Sequence, residues 1–248
     1  MTDHALLIPT SEGPVGGIVS EPAGPPRATV LILSGHGPPA RSGVNSFWAR
    51  TARSLAELGV VVLRIDYSRQ GETLPLGEDV RGQIPRRDLE LRLLGQIVPW
   101  LRERVPGVPL HLVGICSGGR ASIELIGRHP SWFAGSFLVA PLIQTLFDPE
   151  SGAEPESVDP QVVAYLRTAL DRMPVWVLLG DGDICDVPRL VELLGPDSGL
   201  EVEVVPGMAL HFADHPPVQR ELYRRLSARI CAVSATTSPD TRAAPAWV

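Results

Sequence analysis

Short apolar runs and longer amphipathic segments alternate along most of the chain. An apolar run of this length that ends near glycine is typical of a strand buried in a parallel sheet. Six runs have this character, at residues 28–35, 59–68, 108–116, 134–141, 174–183 and 199–207. Most intervening segments are helical in pattern, as at 45–58, where Asn45 or Ser46 can cap the predicted helix. The alternation predicts an open, mostly parallel α/β sheet with helices on both faces.

Two stretches near the N-terminus, 4–10 and 15–22, alternate weakly and are interrupted by glycine and proline. This pattern predicts a hairpin of edge strands, which brings the sheet to about eight strands. A single domain is expected over residues 1–233. The remaining residues, 234–248, show little periodicity and are predicted to be a disordered tail.

One segment, 142–172, separates two predicted strands by more than an ordinary crossover. Its first half is acidic and contains proline, and its second half is an amphipathic helix. Long loops in compact domains are either functional or disordered. The segment is therefore either a small lid over the crevice or a crossover helix with a long leader, and the sequence leaves both open.

Composition narrows the function classes. A net charge of −6 over 248 residues excludes a basic nucleic-acid footprint. No apolar run approaches the ~18 residues of a membrane span, and the N-terminus lacks the pattern of a signal peptide. The chain has no lysine, which excludes a lysine Schiff base, and its three cysteines have neither disulfide-framework nor zinc spacing. We expect a cytoplasmic protein without metal or other cofactor, and without a nucleic-acid or membrane partner.

The sequence HLVGICSGGRAS, residues 111–122, predicts a strand that enters a helix through a sharp turn. Such a turn holds a nucleophile in a strained backbone conformation. The residues two before and two after the nucleophile come close together, so both must be small. With Cys116 at the turn, these residues are Gly114 and Gly118, which satisfy the requirement.

The alternative places Ser117 at the turn, with Ile115 and Gly119 as the flanking residues. A β-branched isoleucine fits the crowded position poorly, so the sterics favour Cys116. The helix N-terminus would stabilise a Cys116 thiolate, and Ser117 would supply a backbone N–H to an oxyanion hole. The plain structural interpretation is that Cys116 is a small buried residue and the glycines only allow tight packing.

A nucleophilic cysteine requires a base, and the base requires an orienting carboxylate. Asp183 lies in GDGDICDVP (180–188), after the fifth predicted buried strand, and His211 lies in VPGMALHFADHP (205–216), after the sixth. Both therefore lie at the carboxyl edge of the sheet, where ligands bind. The candidate triad is Cys116, Asp183 and His211, in that order along the chain.

Neighbouring residues compete for two of these roles. Asp181 and Asp186 share the acid loop with Asp183, and the spacing from the end of the strand favours Asp183. His215 shares the other loop with His211, but two prolines follow it, which is typical of a surface turn.

Five motifs in this order resemble those of the α/β-hydrolase family, over roughly residues 5–233: LSGHGPPARSG, RIDYSRQGET, GICSGG, GDGDICDVP and GMALHF. The elbow resembles that of dienelactone hydrolases, which use a Cys-His-Asp triad, and the first half is similar to small bacterial hydrolases of biosynthetic clusters. The resemblance implies an α/β-hydrolase fold, a loop-supporting role for Asp66, and the backbone N–H of His36 as second oxyanion donor. Ser34 departs from the family, which often has histidine there.

The expected function is hydrolysis or acyl transfer on an ester, lactone or thioester of a small molecule. Acylated and carrier-linked small molecules are included among the expected substrates. The protein is expected to be a monomer or a dimer. Two alternatives stay open: a lyase or cyclase that eliminates a carboxylate with His211 as general base, and a non-catalytic binding scaffold. Apolar residues of the 142–172 segment are expected to line the substrate pocket, although a lid helix also needs them to pack. These are Leu142, Ile143, Phe147 and Tyr165.

Overall fold

The computed structural model describes residues 1–35, 41–66, 86–144, 158–181, 187–208 and 215–236. The strands are β1 Thr2–Ile8, β2 Val15–Glu21, β3 Ala28–Leu33, β4 Val60–Ile65, β5 Leu110–Ile115, β6 Gly135–Val139, β7 Val175–Gly180 and β8 Glu201–Val205. The α-helices in these ranges are α1 Phe47–Glu57, α2 Arg86–Arg104, α3 Ser117–Arg128, α4 Pro160–Leu170, α5 Val187–Leu194 and α6 Pro216–Thr236.

All eight strands form one sheet in the order β1-β2-β4-β3-β5-β6-β7-β8. The β1–β2 and β2–β4 pairs are antiparallel, and every other pair is parallel. The predicted hairpin and the six predicted strands are confirmed, with strand ends a few residues shorter than the apolar runs. The sixth, β8, is largely exposed at the edge of the sheet, so its predicted burial is wrong. Strands β3 and β5 lie side by side in the middle of the sheet, so the loops that follow them leave the same edge together.

Strands β3 to β7 are buried on both faces, since successive side chains of a strand point to opposite sides and helices cover both of them. On β5, Leu112 packs in the cluster that contains the apolar faces of α2, α3, α4 and α5. Its neighbour Val113 packs in the cluster formed with α1 and α6. This two-sided burial explains why the central strands have continuous apolar runs in place of an alternating pattern.

At the N-terminus of α1, Ser46 does not act as the predicted side-chain cap. Asn45 and Ser46 have positive φ, 51° and 57°, and Ser46 makes no side-chain capping hydrogen bond. The backbone carbonyl of Ser42 accepts the N–H groups of Trp48 and Ala49 over 3.0 and 3.2 Å. The Ser42 carbonyl therefore satisfies two N–H groups at the start of α1, a role that the sequence pattern assigned to a side chain.

Helix α4, the second half of the segment predicted as lid or crossover, connects β6 and β7 and packs against α3. Val162, Leu166 and Ala169 are buried in the core beside α3. Asp159 accepts the N–H of Gln161 over 2.8 Å and caps the helix. The first half of that segment, from 145 to 157, lies outside the described residues.

The predicted start of the tail, residue 234, lies inside helix α6. Helix α6 continues to Thr236, and its residue Ser234 is buried and lies 3.2 Å from the imidazole Nε2 of His111 on β5. This tertiary contact has no periodic signal in the sequence.

Among the helices of the described ranges, none combines the length and apolar character needed to cross a lipid bilayer.

Candidate active site

Cys116 is the single residue between the end of β5 and the start of α3, and its backbone is strained. Its φ is 53° and its ψ is −121°, a conformation that side-chain-bearing residues rarely adopt. Ser117 is the first residue of the helix. The structure therefore places Cys116, and not Ser117, at the point where the strand turns into the helix.

The glycines around the turn are required by close packing. A β-carbon on Gly114 would overlap the Ser122 hydroxyl and lie 2.7 Å from the Gly118 carbonyl oxygen. Gly114 and Gly118, the residues two before and two after Cys116, therefore lie close together, as the sequence predicts. A β-carbon on Gly119 would lie 2.8 Å from the Pro141 side chain, so this glycine admits the chain that follows β6.

Hydrogen bonds satisfy both backbone groups of Cys116. Its N–H donates to the Val139 carbonyl over 3.1 Å. Its carbonyl accepts the N–H of Arg120 over 3.1 Å and the N–H of Leu142 over 3.0 Å. The thiol is half-buried and not in a disulfide. The chain after β6 thus lies directly against the turn and helps to fix its geometry.

The loop after β3 approaches the thiol. A β-carbon on Gly35 would lie 3.1 Å from the Cys116 β-carbon and 3.7 Å from its Sγ. On the far side of this loop, Asp66 accepts the Arg41 backbone N–H over 3.1 Å and pairs with the Arg41 guanidinium. Asp66 therefore holds Arg41, the first described residue after the loop, consistent with the role that the resemblance implied. The predicted oxyanion donor His36 follows Gly35 and lies outside the described residues.

The loops predicted to carry the acid and the base begin in mutual contact. The Gly207 N–H, after β8, donates to the Asp181 carboxylate, after β7, over 2.9 Å. A β-carbon on Gly180 would overlap the Met208 carbonyl, so the two chains touch at this point. Asp181 thus has a structural role in joining the two loops. The predicted triad members Asp183 and His211, and their competitor Asp186, lie outside the described residues.

Of the residues predicted to line the substrate pocket, Leu142 is half-buried and lies next to the turn. Ile143 is fully buried in the core and has no surface to offer a substrate. Tyr165 packs against Gly127, where a β-carbon would overlap its ring. Gly127 is eleven residues along α3 from Cys116, roughly 16 Å at the helical rise, so Tyr165 is not beside the thiol. Phe147 lies outside the described residues.

Sequence reasoning missed a buried ionic cluster on the first turns of α3. Arg120 is 4% exposed, and its Nε donates to the Glu124 carboxylate over 3.0 Å. One terminal nitrogen pairs with the Asp159 carboxylate, and the other donates to the Gln144 carbonyl over 3.3 Å. The four-residue spacing of Arg120 and Glu124 on a helix that follows a buried strand is a signal that could have revealed the pair.

Within the ranges that the structure describes, no three His, Cys, Asp or Glu side chains lie close enough to hold a metal ion. The chemistry available there is that of a thiol at a helix N-terminus, beside a loop that follows β3. The candidate acid and base would come from the two loops that meet at Asp181 and Gly207.

The strand order and the strained turn after β5 define an α/β-hydrolase fold. An α/β serine hydrolase without lid, XC6422 from Xanthomonas campestris, superposes with a TM-score of 0.64 over 97% of both chains at 18% identity. A thermostable carboxyl esterase from Bacillus coagulans gives a TM-score of 0.71 over 94% of this chain and 99% of its own, at 13% identity. The thioesterase domain of the curacin biosynthetic pathway gives 0.69 over 94% and 100%, at 11% identity.

In sequence, the chain is similar to monoglyceride lipases. It is 31% identical to the human protein over 131 residues, which are 53% of this chain and 40% of the lipase. The mouse protein is 29% identical over 133 residues, with 54% and 40% covered. The matched region therefore spans about two fifths of the length of these relatives. No protein-family model matches the chain.

Proposed function

We propose that the protein hydrolyses carboxylic ester or thioester bonds of a small organic molecule, with Cys116 as the nucleophile. The observation that carries the proposal is the strained backbone of Cys116 at the strand-to-helix turn, with Gly35 against its side chain. Residues persist in such conformations where the surrounding structure enforces them, and these positions cluster at active sites. The similarity to proteins described as a lipase, an esterase and a thioesterase supports an acyl substrate.

The position of the thiol suits nucleophilic catalysis. The N-terminus of α3 carries the positive end of the helix dipole, which favours a negative sulfur over a neutral one. A neighbour in structure is described as a serine hydrolase, and this chain has cysteine at the turn. The thiolate attacks carbonyl carbon without needing the strong base that a serine hydroxyl requires.

We assign the acid and base roles to Asp183 and His211. The described residues just before them along the chain support this assignment, since Asp181 and Gly207 are in contact at the edge of the sheet where β7 and β8 end. Asp181 is occupied by the Gly207 N–H, which favours Asp183 over Asp181 as the partner of the histidine.

The proposed reaction has two halves. His211 takes the thiol proton, the Cys116 sulfur bonds to the substrate carbonyl carbon, and the oxyanion accepts the N–H groups of Ser117 and His36. Each such donor contributes about 3–4 kcal/mol in known hydrolases. The carbon–oxygen or carbon–sulfur bond of the leaving group then breaks, and His211 returns the proton to it. Water, deprotonated by His211, releases the acid and restores the thiol.

The test is to incubate the protein with a panel of p-nitrophenyl esters and acyl thioesters, quench with acid, and locate the acyl group by peptide mass spectrometry. Acyl mass on the Cys116 peptide, with turnover abolished in Cys116→Ala and His211→Ala, is the expected result. Cys231→Ala is the matched control, because it removes the other free thiol of the described ranges and should turn over normally.

Two results would contradict the proposal. Undiminished turnover in Cys116→Ala, together with loss in His211→Ala, would show that the histidine acts as a general base without a covalent thiol intermediate, as in the elimination alternative. Tight binding across the panel with no turnover by the wild type would show a binding scaffold.

A further inference from the structure

We propose that Arg120 is a positioning residue for Cys116. Its side chain clamps the chain that follows β6 against the turn between β5 and α3. The catalytic part of this role rests on the function proposed above, whereas the geometric part stands on contacts in the described residues.

The clamp joins three separate stretches of chain through one guanidinium. Each of its three nitrogens has its own acceptor: the Glu124 carboxylate, the Gln144 carbonyl and the Asp159 carboxylate. Glu124 is 1% exposed, and the Asp159 side chain is 14% exposed. The cluster is thus almost wholly removed from water, where charge-assisted hydrogen bonds are strong and geometrically specific.

The clamped stretch acts directly on the turn. Gln144 forms an antiparallel bridge with Val158, and the Asp159 N–H donates to the Ile143 carbonyl over 3.0 Å. Two residues before Gln144, the Leu142 N–H donates to the Cys116 carbonyl over 3.0 Å. The side chain of Arg120 and the carbonyl of Cys116 are therefore linked through a single short segment, 142–144.

Arg120 also contacts Cys116 through its own backbone, since its N–H forms the first hydrogen bond of α3 with the Cys116 carbonyl. This carbonyl thus accepts two N–H groups whose positions both depend on residue 120 or its partners. Loss of the clamp leaves the positive φ of Cys116 with less support, and the strained residue is expected to relax. The sulfur would then move from its place at the helix N-terminus.

The chemistry of the cluster specifies arginine. The three acceptors lie around a planar fork with nitrogens that point in three directions. A lysine has a single nitrogen in place of three separately placed ones, so it cannot hold all three acceptors in the arrangement that the guanidinium imposes. Arg120→Lys therefore keeps the charge and removes the clamp.

The experiment measures alkylation of Cys116 by iodoacetamide, with Cys231 on α6 as an internal reference thiol, by peptide mass spectrometry at pH 7. The variants are Arg120→Lys and the double variant Arg120→Met/Glu124→Met, which removes both fully buried charges and avoids an unpaired carboxylate at 124. Arg128→Met is the matched control, because Arg128 is an exposed arginine at the other end of the same helix. Thermal unfolding of each variant establishes that it is folded.

We expect both Arg120 variants to alkylate Cys116 about tenfold more slowly, with the Cys231 rate unchanged, since small misplacements of a reacting atom have effects of this size or larger. On a substrate found in the acyl-trapping experiment, kcat should fall with little change in KM. Arg128→Met should match the wild type in both measurements.

Parallel changes at Cys116 and Cys231 would show a general loosening and overturn the proposal, and so would an unchanged Cys116 rate in folded variants. The proposed function fails separately, if wild-type Cys116 forms no acyl adduct. A selective effect of Arg120 on Cys116 alkylation would then still establish the clamp.

Discussion

The backbone N–H of Gly207 donates a hydrogen bond to the Asp181 carboxylate over 2.9 Å. It joins the ends of β7 and β8 at the point where the two loops predicted to carry Asp183 and His211 begin. From the sequence alone, Asp181 is a competitor of Asp183 for the role of the catalytic acid. Its observed partner, a backbone N–H, gives it a different role.

Substitutions at Asp181 and Asp183 should therefore have different effects on turnover, because Asp181 joins the two loops whereas Asp183 is the proposed catalytic acid. We expect Asp181→Ala to lower kcat roughly tenfold, because the loops lose one tether and their side chains are less well placed. Asp181→Asn retains an acceptor oxygen and should stay close to wild type. Asp183→Ala should abolish turnover. Steady-state ester hydrolysis measures all three, and equal losses in Asp181→Ala and Asp183→Ala would contradict the assignment.

Gly114→Ala should destabilise the fold, because the added β-carbon overlaps Ser122 and meets the Gly118 carbonyl at 2.7 Å. Overpacking of this kind costs about 1–3 kcal/mol in the free energy of unfolding. Urea denaturation measures the loss. Gly95→Ala is the control, since this glycine lies inside α2 with open space around it. It should gain about 1 kcal/mol from helix propensity. A stable Gly114→Ala variant would show that the turn relaxes easily.

Gly35→Ala should impair the site without unfolding the protein. The new methyl group would lie 3.1 Å from the Cys116 β-carbon and 3.7 Å from Sγ, so it would displace the thiol or the loop. We expect kcat/KM to fall about tenfold or more, with a similar decrease in Cys116 alkylation. Gly24→Ala, in open space, is the control. Normal alkylation in a folded Gly35→Ala variant would mean that the loop does not face the thiol in solution.

Burial of His111 predicts loss of stability in mild acid. Its imidazole is fully buried beside Ser234, and this burial lowers its pKa from 6.5 to about 4. Between these two values the unfolded chain binds one proton that the folded chain does not. The free energy of unfolding is therefore independent of this group above about pH 6.5 and falls as the pH decreases towards 4, by about 3 kcal/mol in total.

Urea denaturation between pH 7.5 and pH 4.5 tests this linkage against His111→Leu, which cannot bind the proton. The variant should lose less stability over this range than the wild type, whatever its stability at pH 7.5. Identical pH dependence in the two proteins would show that His111 takes up its proton in the folded state without penalty.

Local patterns predicted the elements that local physics controls. Continuous apolar runs predicted the five buried strands β3 to β7, and weak alternation broken by glycine and proline predicted the hairpin of β1 and β2. The placement of Cys116 at the turn followed from the small size of its flanking residues. The Gly118 carbonyl lies so close to Gly114 that a β-carbon there would be only 2.7 Å from the oxygen.

The wrong predictions share a different cause. The backbone carbonyl of Ser42 satisfies N–H groups at the start of α1, and Ser234, within α6, contacts His111. Each depends on a partner whose position is set by the folded chain. Side-chain type and periodicity alone therefore favoured a capping Ser46 and a tail that begins at residue 234.

The sequence by itself determined the α/β architecture, the strained turn at Cys116 and the order of the candidate triad, because size, periodicity and turn chemistry act between near neighbours. Only the tertiary structure revealed the clamp of Arg120 and the tether between Asp181 and Gly207. Arg120 meets Asp159 across 39 residues, and Asp181 meets Gly207 across 26. Hydrogen bonds over such separations are decided by how strands and helices pack, and no local pattern of residues encodes them.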